Sequence, residues 1–147
     1  MNVKFTNFPK EFKILKKELI KKFNKIGFEG HYVLGEELKD FEKNIQKFLK
    51  VKHVLGVGNW TEGTIMALKA LGYNRGDEII TVSNSFIATC GAIAYEGLVP
   101  KLVDIGEDLN IDVNKIKEKI TKKTRAIMPV HLSGIPSNLD QLKKICK

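Results

Sequence analysis

With 147 residues, of which 43% are apolar and 29% charged, the chain can bury a core of its own and is neither disordered nor fibrous in composition. Its apolar runs, such as Gly91-Ala92-Ile93-Ala94, are too short to cross a membrane, and Met1-Asn2-Val3-Lys4 has no apolar signal-peptide core, so a cytoplasmic protein without a membrane partner is expected. The net charge of +8 does not indicate a nucleic-acid partner: the lysines alternate with acidic residues, arginine is confined to Arg75 and Arg125, and no aromatic residues interleave as a base-stacking surface requires.

Two amphipathic helices are predicted first. Pro9 suits a first helical position, Phe12, Leu15, Leu19, Phe23 and Ile26 follow at spacings of three and four, and Gly27 is the expected stop. The second helix is expected over residues 36–50, with Leu38, Phe41, Ile45 and Phe48 on one face. Between them lies a loop bracketed by glycines, Gly30-His31-Tyr32-Val33-Leu34-Gly35.

From His53 the rhythm changes to short apolar runs alternating with helical segments. Strands are predicted at Val54-Leu55-Gly56-Val57, Glu78-Ile79-Ile80-Thr81-Val82, Lys101-Leu102-Val103-Asp104 and Ala126-Ile127-Met128-Pro129-Val130. Helices are predicted after them: one running through Leu71, one over residues 87–96, one over 113–120, and one starting near Asn138. This alternation describes βαβ units around a parallel sheet with helices on both faces. The expected division is a helical segment over residues 1–50 and an α/β domain over 51–147. The final residues, Ile145-Cys146-Lys147, fall within an amphipathic pattern with no following strand, so a truncated domain with an uncovered sheet edge is expected. Cys90 and Cys146 lack CxxC spacing and a His cluster, which leaves free thiols and no metal site.

The segment Val57-Gly58-Asn59-Trp60-Thr61-Glu62-Gly63-Thr64 stands at a strand-to-helix turn. Glycines and a hydroxyl residue there can make an anion site, where free backbone N–H groups and the helix dipole face a phosphate. Thr61 is the candidate both for helix N-cap and for hydroxyl donor, and an ordinary capped helix is the competing reading. A dinucleotide fingerprint fits poorly: Gly56 and Gly58 are followed by Thr61 at the third glycine position, and the second strand leads into Val82-Ser83-Asn84-Ser85 rather than an acidic residue. No Gly-Lys-Ser/Thr occurs, which excludes a P-loop.

An ordered series of short motifs resembles the DegT/DnrJ/EryC1/StrS family of pyridoxal-phosphate (PLP) enzymes. It runs through Tyr32-Val33-Leu34-Gly35-Glu36-Glu37-Leu38, Asn59-Trp60-Thr61-Glu62-Gly63, Gly76-Asp77-Glu78-Ile79-Ile80 and Ser85-Phe86-Ile87-Ala88-Thr89. Pro100-Lys101-Leu102-Val103-Asp104-Ile105, Asn110-Ile111-Asp112 and Pro129-Val130-His131-Leu132-Ser133-Gly134 complete it. The resemblance implies the large domain of the fold type I (aspartate-aminotransferase-like) PLP transferases. It implies a cofactor, pyridoxal 5'-phosphate, bound by Trp60, Thr61, Glu62, Phe86 and Thr89, with Phe86 stacked on the pyridine ring. Trp60 departs from the glycine many members carry, so an indole would line or narrow the site. His31, Tyr32 and His131 are the implied substrate-side residues; a plain helix connection competes for the first two, and a structural histidine for the third.

The implied activity is transfer of an amino group, from glutamate or a similar donor, to a nucleotide-linked keto-sugar in amino-sugar or surface-polysaccharide biosynthesis, by a homodimer. A PLP-dependent sugar dehydratase of the same family and a non-catalytic truncated chain are the alternatives. The resemblance puts the Schiff-base lysine and the aspartate of the pyridine nitrogen beyond residue 147, so no catalytic residue is assigned within the chain, and the chain alone is expected not to transaminate.

Overall fold

A computed structural model describes residues 5–147, which divide into two units, one ending at Gly56 and the other spanning Val57–Lys147. In the first unit, helix α1 (Phe8–Glu29) starts where the Asn7 side chain accepts the N–H of Lys10 at 3.3 Å, with Pro9 in the first turn. It continues through Gly27, the expected stop, and ends at Gly30 instead. Gly30 takes a left-handed conformation with φ of 69°, and its N–H closes on Ile26 O at 2.9 Å. A glycine tolerates the helical interior as well as its end, and only the residue that must turn left-handed marks the stop.

Helix α2 (Glu36–Leu49) follows. Glu37, in its first turn, accepts from Lys25 Nζ at 2.9 Å and Lys22 Nζ at 3.3 Å, which ties α2 to α1 by charge. Glu42 Oε1 accepts the Gly56 N–H at 2.7 Å and anchors the segment that leaves the helix. Neither helix fully buries a side chain, and Phe12, Leu15, Leu19 and Phe23 remain at least half exposed.

The second unit contains α3 (Trp60–Ala70), β1 (Glu78–Val82), α4 (Ala88–Tyr95), β2 (Val99–Val103), β3 (Thr124–Met128) and α5 (Leu139–Ile145). The three strands form one parallel sheet in the order β2-β1-β3, with Glu78 to Val82 in register with Val99 to Val103. Central β1 is buried over its last four residues, so it reads as an apolar run rather than an alternation. Its side chains alternate between two cores. Ile79 lies with Leu68, Ala92, Ile93 and Leu98 under α3 and α4. Ile80 and Val82 lie with Val103, Ile111, Ile116 and Leu142 under the β2–β3 connection and α5. The sheet therefore carries helices on both faces, as the alternation predicts. The buried Thr81 hydroxyl donates to Met128 O at 2.8 Å and fastens β1 to β3.

Two predicted elements are absent. Residues 54–57 pair with no strand among the described residues, and Leu55 is exposed; a strand needs a neighbouring strand for its N–H and C=O groups, and here the Gly56 N–H goes to the Glu42 side chain instead. Residues 113–120 form two short 3-10 turns, Val113–Lys115 and Lys117–Lys119, rather than one helix. Asp112 caps the first by accepting from Asn114 N–H at 3.0 Å, and only Ile116 is fully buried there, too little apolar surface to hold a longer helix. No helix among the described residues is long and apolar enough to cross a membrane.

Candidate functional site

At the C-terminal ends of β1 and β3, where open parallel sheets present their ligand crevice, lies a cavity of about 680 Å³. Three segments line it: the start of α3 (Asn59, Trp60, Thr61), the segment after β1 (Ser85, Phe86, Ala88, Thr89), and the segment after β3 (residues 129–133). Trp60, Thr61, Phe86, Thr89 and His131 of the expected site thus meet in one place.

The start of α3 differs in one respect from expectation. Asn59, not Thr61, is the N-cap: its Oδ1 accepts the Glu62 N–H at 2.9 Å, and its carbonyl accepts Gly63 N–H at 3.1 Å. Asn59 has the extended backbone a cap requires, whereas Thr61 is already inside the first turn. This leaves the N–H groups of Trp60 and Thr61 without intrahelical acceptors, and frees the Thr61 hydroxyl from capping duty. Glu62 does not line the cavity; its carboxylate turns back toward Gly58, where a Cβ would stand 2.7 Å from Oε2. A side chain at position 58 would have to displace the Glu62 carboxylate, the mobile end of a flexible side chain.

Phe86 is 78% exposed, with its ring against the cavity rather than in the core. Thr89 is only 2% exposed; its N–H donates to Phe86 O at 3.0 Å and its hydroxyl pairs with Ser85 Oγ at 2.6 Å. The Ser85–Thr89 pair holds the turn that presents Phe86, and Ser85 is a lining residue that sequence reasoning missed.

His131 accepts the Ser137 N–H on Nδ1 at 3.0 Å. A neutral imidazole that accepts at Nδ1 carries its proton on Nε2. Buried Ser137 also donates its hydroxyl to Val130 O at 3.0 Å. His31 and Tyr32 belong to the other unit, in the turn between α1 and α2, where the Tyr32 hydroxyl lies beside Gly27.

The lining residues include four hydroxyls, two aromatic rings and an imidazole, and none is a carboxylate. Unpaired N–H groups at a helix N-terminus, a threonine hydroxyl and an exposed phenyl ring suit a phosphate ester carried on a flat aromatic ring. The carboxylates Asp77 and Glu78 stand at the opposite end of β1. Asp77 is held below the usual range by the Asn74 N–H and then by Arg125, and Glu78 by the Thr121 hydroxyl and then by Lys101, so both stay ionised in structural pairs.

The sequence matches the DegT/DnrJ/EryC1/StrS aminotransferase family over residues 13–147. The chain is 34% identical to a pleiotropic regulatory protein of Geobacillus stearothermophilus, over 100% of this chain and 40% of the relative. It is 37% identical to a dTDP-3-amino-3,6-dideoxy-alpha-D-galactopyranose transaminase of Aneurinibacillus thermoaerophilus, over 89% and 36%. Among solved structures, S. venezuelae DesV superposes with a TM-score of 0.93 at 32% identity, over 98% of this chain and 39% of that one. An E. coli GDP-4-keto-6-deoxy-D-mannose-3-dehydratase with bound hydrated PLP superposes with a TM-score of 0.80 at 31% identity, over 86% and 34%. The chain thus spans two-fifths or less of the length of these relatives. Its parallel sheet, the crevice at the strand ends and a match that runs from residue 13 to the last residue agree: the chain belongs to the DegT/DnrJ/EryC1/StrS aminotransferase family.

Proposed function

We propose that the protein carrying this chain is a PLP-dependent aminotransferase that moves an amino group, from glutamate, onto a nucleotide-linked keto-sugar in amino-sugar or surface-polysaccharide biosynthesis. The observation that carries the reading is the meeting of Thr61, Phe86 and His131 in one carboxylate-free cavity at the sheet's C-terminal edge. In this reading the Trp60 and Thr61 N–H groups and the Thr61 hydroxyl hold the phosphate. Phe86 stacks on the ring, Trp60 closes the side wall, and His131 faces the substrate side. Glu62 contributes through its place in the capped turn rather than by contact. When bound, PLP supplies an electron sink for the carbon that gains or loses the amino group. The lysine and aspartate that such chemistry needs are proposed to follow Lys147, and the active protein is proposed to be a homodimer with His31 and Tyr32 on the substrate side. A sugar dehydratase is the second reading, favoured by the likeness to the E. coli dehydratase.

Trp60 is the only tryptophan in the chain, which makes the site self-reporting. Pyridoxal phosphate absorbs where indole emits, so titration is expected to quench Trp60 fluorescence saturably, with inorganic phosphate competing and pyridoxal lacking the phosphate much weaker. Quenching that is unaffected by phosphate and by Thr61→Ala would reject the site. The full-length protein, given glutamate and keto-sugar nucleotides, then separates transaminase from dehydratase by whether the product carries nitrogen.

A further inference from the structure

The segment after β3 turns through Ser133 and Gly134, both with positive φ, at 52° and 81°. Serine rarely adopts this conformation, so such a turn needs an external hold. Asn110 provides it. This side chain, 1% exposed, accepts the Leu132 N–H on Oδ1 at 3.2 Å and donates from Nδ2 to Ile135 O at 3.2 Å. One amide thus spans both ends of the turn and, because it meets a donor on one side and an acceptor on the other, can sit in only one orientation. Asp108 fixes it in turn, accepting from Asn110 N–H at 3.1 Å and Nδ2 at 3.3 Å. Just outside the turn, Ser137 N–H occupies His131 Nδ1.

We propose that Asn110 is a positioning residue for His131: by clamping residues 132 and 135 it keeps Ser137 on Nδ1, so that the imidazole offers Nε2–H to a hydrogen-bond acceptor in the cavity. Since Nδ1 is taken, Nε2 is the ring nitrogen left for a ligand. The ligand atom it meets is therefore an acceptor, such as a phosphate, phenolate, carbonyl or hydroxyl oxygen. The identity of that acceptor rests on the PLP-site reading; the clamp does not.

The test is a long-range proton–nitrogen NMR spectrum of the nitrogen-15-labelled chain at a pH where imidazole is neutral, with His131→Gln assigning the signals. The expected pattern is a single tautomer with protonated Nε2 and bare Nδ1. Asn110→Asp keeps the size and the acceptor for Leu132, but turns an oxygen toward Ile135 O and the Asp108 carboxylate. It is expected to convert the single tautomer into a mixture, while the methyl signals of Ile79, Ile80 and Ile93 stay in place. Asp108→Ala, at an exposed position, is expected to move the pattern the same way and serves if Asn110→Asp does not fold. A protonated Nδ1 or a rapid mixture in the parent chain, or an unchanged tautomer in a folded Asn110 variant, overturns the proposal. So does an unchanged tautomer in Asp108→Ala if Asn110→Asp is unfolded. None of these readouts needs cofactor: an intact Nε2–H in a chain that does not bind PLP sinks the cofactor reading alone.

Discussion

Asn59 Oδ1 and the Glu62 N–H are 2.9 Å apart, and this single bond decides which backbone donors of α3 remain free for a ligand. Asn59→Ala is expected to destabilise the chain by about 1 kcal/mol, the usual worth of an N-cap, whereas Thr61→Ala, inside the first turn where alanine is the better helix former, should leave stability nearly unchanged. Urea unfolding of the two variants makes the comparison. A loss confined to Thr61→Ala, with Asn59→Ala neutral, would return the cap to Thr61.

Phe86 stands outside the core, so its removal should act on ligand affinity more than on stability. Phe86→Leu is expected to weaken pyridoxal phosphate by about fivefold, the ~1 kcal/mol of an aromatic stacking pair, with Phe86→Tyr close to the parent. The Trp60 quenching titration measures it, and a large loss of stability without loss of affinity would instead make Phe86 a packing residue.

The Ser85–Thr89 hydroxyl pair is part-buried, and its loss leaves one hydroxyl without its partner. Thr89→Val is expected to cost roughly 1–2 kcal/mol, against a smaller loss for Thr89→Ser, which keeps the bond. If Thr89→Val is neutral to stability while cofactor affinity falls, Thr89 acts on the ligand directly rather than through the Phe86 turn.

The link between α1 and α2 should fail in acid. The Lys25 ammonium, by its hydrogen bond, holds the Glu37 carboxyl down at about 2, against an ordinary 4.5. Because the folded value is the lower one, the pair's contribution is complete above pH 4.5 and is lost as pH falls toward about 2. Following the Glu37 carboxyl carbon by NMR should show this depressed titration, and Lys25→Ala should raise it toward the ordinary value. High salt should weaken the pair as well, since both partners are partly exposed. A titration near 4.5 in the parent chain would show that the pair does not persist in solution.

Much of this protein is determined locally and so is legible in the order of its residues. The run Glu78-Ile79-Ile80-Thr81-Val82 is β1 to the residue, because a strand covered on both faces is mostly apolar, with Glu78 at its half-buried start and the Thr81 hydroxyl bonded to Met128 O. The motif series that marks the family likewise places Thr61, Phe86, Thr89 and His131 together, as the cavity does. What the sequence could not determine depends on partners distant along the chain. Residues 54–57 have strand composition but no neighbour among the described residues, and hydrogen bonding to a neighbour is what makes a strand. Thr61 and Asn59 are both capping types two positions apart, and only the backbone, extended at Asn59 and helical after it, selects between them. Asn110 stands 22 residues from Leu132 and 25 from Ile135, and nothing in its local surroundings signals a clamp. Its role arises because the parallel sheet brings the C-terminal ends of β2 and β3, on either side of β1, to the same end, where a buried amide must find donors and acceptors and the strained turn after His131 supplies them.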